Sequence, residues 1–121
     1  MTTSRITLFH NPACSNSRGA LALLRERGEE PEVIEYLKTP PDHAQLTALV
    51  AAIGRPVREL LREKEAIYGE LDLGNPRWTD AQLIDFMVQH PILINRPIVV
   101  TPLGARLCRP PETVLEILPA R

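Results

Sequence analysis

The residues able to do chemistry gather near the start of the chain, in the run Phe9-His10-Asn11-Pro12-Ala13-Cys14-Ser15-Asn16-Ser17-Arg18. Cys14 stands where an apolar segment of β type should hand over to a helix. A thiol at a helix N-terminus is a candidate nucleophile, because the exposed N–H groups there carry partial positive charge and favour the thiolate. Such a position brings a cysteine pKa from about 8.5 into the range of roughly 3.5 to 7.5, leaving the sulfur substantially ionised at neutral pH. His10 is either a polar residue closing the strand or a group that tunes the sulfur, as an imidazolium beside a thiolate would. Ser15 and Ser17 suit helix capping, and a hydrogen bond from Ser17 to the thiolate is a second role for that side chain.

The rest of the titratable inventory excludes other chemistries. Cys14 and Cys108 are too far apart in sequence to look like a secreted disulfide framework. Cys108 follows Leu107 in an expected strand, so it reads as a structural thiol rather than a resolving partner. The histidines His10, His43 and His90 show no metal-ligand spacing with the cysteines, and no metal or bound cofactor is expected. No glycine-rich phosphate cradle is present. Fourteen basic residues stand against 15 acidic ones, a formal charge of -1. No net field draws the chain to nucleic acid or to a membrane, so any anion site must be local. Met1-Thr2-Thr3-Ser4-Arg5 is not an apolar leader, and no run approaches the roughly 20 apolar residues of a membrane span. A reducing cytoplasm and a monomer are the expectations.

The elements that must position Cys14 follow from periodicity. Ile6 to Phe9 predicts a strand, Ser15 to Arg27 a helix with Leu21 and Leu24 on one face and Gly28 as terminator, and Val33 to Leu37 a second strand. That βαβ unit implies parallel strands and a thiol beyond the C-terminal end of the first, where open α/β sheets place ligands. Asp42 is placed to cap a helix carrying Leu46, Leu49, Val50 and Ile53 before Gly54, and Pro56 to open another with Val57, Leu60 and Leu61. Asp72 to Pro76 reads as a loop. Thr79 and Gln82 have capping-box spacing ahead of a helix with Leu83, Ile84, Met87 and Val88, stopping at His90-Pro91. Ile98 to Thr101 and Ala105 to Cys108 form a hairpin about Pro102-Leu103-Gly104, and Pro110-Pro111-Glu112 opens a short helix through Leu118. The expected class is α/β, in the order βαβ, helical insertion at about 42–90, then ββα, as one domain over residues 1–121.

Three stretches carry a resemblance to a known family: His10-Asn11-Pro12-Ala13-Cys14, Arg58-Glu59-Leu60-Leu61-Arg62, and Gln89 through Gly104 with Arg106-Leu107-Cys108-Arg109-Pro110. Together the chain, from about Ile6 to Leu118, resembles the glutaredoxin-coupled arsenate reductases. The resemblance implies a thioredoxin-like mixed sheet with a helical insertion. It also implies that Cys14 is the nucleophile, that His10 tunes it, that Arg62, Arg96 and Arg109 hold the oxyanion, and that the proline after Arg96 is cis and near the thiol. Arginine suits arsenate because its planar donors match two oxyanion oxygens at once. Reducing As(V) to As(III) takes two electrons, and Ser17 stands where a Cys-x-x-Cys pair would have its partner, so an external thiol must complete the reaction. The resemblance identifies that thiol as glutathione, with glutaredoxin clearing the mixed disulfide. Arg18 follows Cys14 after three residues, unlike the Cys-x5-Arg of low-molecular-weight phosphatases. Two other readings stay open: a thiol oxidoreductase of different substrate, and a regulator of similar fold that binds RNA polymerase.

Overall fold

Which face of the first strand turns inward decides what lies under the thiol. In the computed structural model, which describes residues 6–118, β1 is Thr7–His10. The polar start Met1–Arg5 lies outside the described residues. β1 alternates half-buried and buried side chains, so Leu8 and His10 share the inward face. It pairs in parallel with β2, Glu32–Glu35, and antiparallel with β3, Ile98–Thr101, which turns into β4, Gly104–Leu107. The sheet order is β2-β1-β3-β4, a mixed sheet of the expected class. β2 ends earlier than its apolar run predicts, because the N–H groups of Lys38 and Thr39 both fold back onto Glu35 O at 2.9 Å.

The chain divides into two compact units, residues 1–39 with 96–121 and residues 40–95. In the first, α1, Ser15–Glu26, connects the parallel strands. Its inward residues Ala20 and Leu24 join Ile6, Leu8 and Val99 from the sheet side and Val114, Ile117 and Leu118 from the chain end in one apolar cluster. Gly28, at φ 81, closes α1 as expected, and the N–H of Glu29 returns to Leu24 O at 2.9 Å. The last segment, Pro111–Ile117, is a 3-10 helix rather than an α-helix. Its buried residues Val114 and Ile117 are three apart, which is one 3-10 turn.

Gly19 sits inside α1, where glycine is usually unfavourable, because a Cβ there would lie 2.9 Å from Pro111 Cγ. Gly19→Ala sets a helix-propensity gain of about 1 kcal/mol against an overpacking cost of about 1–3 kcal/mol. We expect the cost to win by about 1 kcal/mol. It would be read as a lower urea midpoint at unchanged slope.

In the second unit, α2, His43–Ile53, opens on a capping box from Asp42 and Gln45 and closes on Gly54 in the left-handed region. The longest helix of the second half, Asp80–Gln89, opens on the capping box of Thr79 and Gln82, as its spacing predicts. Val57–Leu60 is a single 3-10 turn where the spacing predicts a second helix. The backbone leaves the helical path at Leu61, which bridges Ile94, while Asn95 N–H donates to Leu60 O at 2.7 Å. A short α3, Ala66–Glu70, is additional to the expected elements; it buries no side chain, so no apolar stripe announces it. Asp80–Gln89 is therefore α4. No helix among the described residues is long and apolar enough to cross a membrane.

Candidate active site

Cys14 is the N-cap of α1, extended at φ -96 and ψ 124, and only 8% exposed. The loop before it is tied at several points. Cys14 N–H donates to Asn11 O at 2.9 Å, Ala13 N–H donates to Asn11 Oδ1 at 2.9 Å, and Arg18 Nη1 donates to Pro12 O at 2.8 Å.

The inward stripe of α1 is Ser17, Ala20 and Leu24, so a polar side chain occupies a core-facing position one turn into the helix. Left unpaired there, its hydroxyl would cost about 1–3 kcal/mol. β1 supplies the partner: His10, on the Leu8 face, has Nδ1 2.6 Å from Ser17 Oγ. Asn11 N–H also donates to Ser17 Oγ, at 3.0 Å. Burial holds His10 below the ordinary histidine pKa; Glu35 opposes this, and the nearby cations Arg18 and Arg25 add to the lowering. The lowered pKa favours the neutral ring, in which Nδ1 either accepts the Ser17 hydroxyl hydrogen or donates to its oxygen according to the tautomer. The lowering disfavours the imidazolium expected from sequence, and the side-chain contact His10 makes is with Ser17. Ser17 Oγ thus meets both His10 Nδ1 and the Asn11 N–H.

Burial pushes the Cys14 thiol toward the protonated form, but four groups outweigh it. The Ser17 amide, the Arg96 charge, the Asn16 amide and the Arg109 charge together bring the Cys14 pKa below the ordinary thiol value. The side chain makes no capping hydrogen bond, so the amides act as dipoles at the head of the helix. Arg109 Nη1 lies 3.9 Å from Cys14 Sγ and donates to Arg96 O at 3.0 Å. Arg109 thus joins the loop before β3 to the thiol. Both Arg96-Pro97 and Arg109-Pro110 are cis, the first as the resemblance implies.

Four predicted site residues, Cys14, His10, Arg96 and Arg109, fall in the first unit and are linked there by these contacts and charges. Arg62 belongs to the second unit, where its N–H donates to Leu93 O at 2.9 Å and its guanidinium pairs with Glu65 at 2.6 Å. Cys108 lies just past β4, fully buried, and burial followed by the Glu116 charge pushes its thiol up to about 12. It cannot offer a thiolate near neutral pH. Among the described residues, no group of three or more His, Cys, Asp or Glu side chains could hold a metal ion. What the site offers chemically is one thiol held below its ordinary pKa with arginine charge at hand, an arrangement suited to attack on an anionic electrophile.

A family model, that of the ArsC family, matches residues 9–117. An arsenate reductase of Escherichia coli (strain K12) is 60% identical over 116 residues, covering 96% of this chain and 82% of the relative. One from Rhizobium meliloti (strain 1021) is 57% identical over 114 residues, covering 94% of this chain and 81% of the relative. Among solved structures, an arsenate reductase from Vibrio cholerae superimposes with a TM-score of 0.93 at 47% identity, covering 97% of this chain and 100% of that one.

Proposed function

The chain belongs to the ArsC family, and from that premise we propose that it reduces arsenate to arsenite through a covalent bond between Cys14 Sγ and arsenic. One observation supports this best: a buried N-cap thiol of lowered pKa with Arg109 Nη1 at 3.9 Å. The thiolate attacks the As(V) of singly charged arsenate, a sulfur–arsenic bond forms as an arsenic–oxygen bond breaks, and the departing hydroxide takes one proton from solvent to leave as water, while the cations offset the repulsion between two anions. Arg96 and Arg109 hold the oxyanion, with Arg62 as a third cation by the family resemblance. His10 and Ser17 position the head of α1.

Glutathione supplies the second thiol and glutaredoxin clears the mixed disulfide that results. With this reading go a reducing cytoplasm, a monomer, and a single domain with its insertion at about 42–90. The test is NADPH consumption with glutathione, glutathione reductase and glutaredoxin. We expect consumption that requires arsenate and stops when glutaredoxin is omitted. Arsenate-independent consumption, or none, would refute the reading.

A further inference from the structure

A site with one ionisable thiol must admit a second thiol from outside, and something at its rim must receive that molecule. We infer that Arg18 binds the carboxylate of the incoming thiol as it attacks the Cys14–arsenic adduct. This rests on the reading above that Cys14 is the nucleophile and needs an external partner.

Arg18 follows Cys14 by one helical turn and so lies on the same side of α1. Its Nη1 is anchored on Pro12 O at 2.8 Å. Pro12, Ala13 and Ser15 are exposed around the buried Cys14, which sets the guanidinium on the open rim. Nε and Nη2 make no hydrogen bond or ion pair among the described residues. Other arginines behave differently: Arg25, Arg55, Arg62 and Arg106 each pair with a carboxylate.

The position also runs against local electrostatics. A cation near the first turn of a helix opposes the positive end of the helix dipole, and α1 has no acidic residue there to offset it. A residue that breaks a local rule without visible compensation points to a use. The unused guanidinium donors fit a carboxylate, while Arg109 stands at the sulfur itself. Glutathione carries carboxylates; mercaptoethanol carries none.

The step balances. The arsenic adduct on Cys14, carrying one proton and one negative charge, reacts with the free thiol to give the Cys14 mixed disulfide and the singly charged arsenite anion. The sulfur–arsenic bond breaks, a sulfur–sulfur bond forms, and the two sulfurs together lose the two electrons that arsenic gains. The thiol proton passes to an arsenite oxygen.

The test separates this inference from the reading beneath it. Cys14 is converted to its mixed disulfide with thiopyridine, a neutral leaving group, and release of the thiopyridine by glutathione or by mercaptoethanol is timed. The exchange needs no arsenate, so it reads Arg18 directly, while arsenate turnover by the unaltered chain tests the proposed function. Arg18→Gln should slow release by glutathione roughly three- to fivefold, the weight of one exposed ion pair. Release by mercaptoethanol should be unchanged, Arg18→Lys should recover most of the rate, and high salt should erase the difference. Equal slowing with both thiols would overturn the inference and make Arg18 a brace for the Pro12 loop. No slowing with either would overturn it as well.

Discussion

Arsenate turnover should fall to background in Cys14→Ser, the largest single effect we expect in this protein. A serine hydroxyl is not ionised near neutral pH, so the helix head and the arginines would face no nucleophile. Removing the nucleophile of a concerted site costs on the order of a million-fold in enzymes where it has been measured. Stability should not follow, because serine is itself a favoured N-cap and Cys14 makes no capping hydrogen bond. The check is therefore double: coupled NADPH consumption for turnover, and a urea midpoint for folding. Retained turnover in a folded variant would end the covalent mechanism.

Arg109→Ala should produce the second largest loss, and in two separable ways. Its Nη1 donates both toward Cys14 Sγ and to Arg96 O, so the variant takes a cation from the sulfur and a donor from the loop before β3. For arsenate, kcat/KM should drop by about 1.5–2 kcal/mol, roughly 10- to 30-fold, the lower part of the range for a charge-assisted contact because Arg109 is exposed. For the thiol, the sign follows from the direction of its shift. The native Cys14 pKa lies below the ordinary value, so the sulfur is already ionised at pH values where a free cysteine is not. Removing a positive neighbour moves that ionisation upward. Alkylation by iodoacetamide, which is uncharged, should slow near neutral pH and recover fully at alkaline pH. A profile that does not move would mean that Arg109 acts on the substrate alone.

Much of this could be read from residue order, and where it could not the reasons are physical. Both capping boxes were legible because a cap is a local device: Asp42 with Gln45 and Thr79 with Gln82 need only the right spacing. The parallel pairing of β1 and β2 followed from the helix between them. The Val57 segment misleads because apolar residues three and four apart suit either a helix or one 3-10 turn. Pairing with residues far along the chain decides between them. At the thiol, Cys14 announces itself by position, but the state of His10 does not. Whether a histidine is neutral depends on burial and on Glu35, Arg18 and Arg25, which only the fold brings within range. Ser17 carries a signal in its spacing to Ala20 and Leu24, an inward polar position that must find a partner. Its commitment to His10 is a meeting of β1 and α1 that order alone does not disclose.

Cys108 gives the chain a dependence it cannot escape. With that sulfur sealed in the core and held protonated, the folded protein offers a single reactive thiol and has no second one of its own to restore it. Every cycle of the proposed reaction must therefore be finished by a molecule that diffuses in. On the proposed reaction, throughput is then governed from outside, by the standing concentration of small reduced sulfur compounds, and exhausting them would silence the protein with every residue still in place.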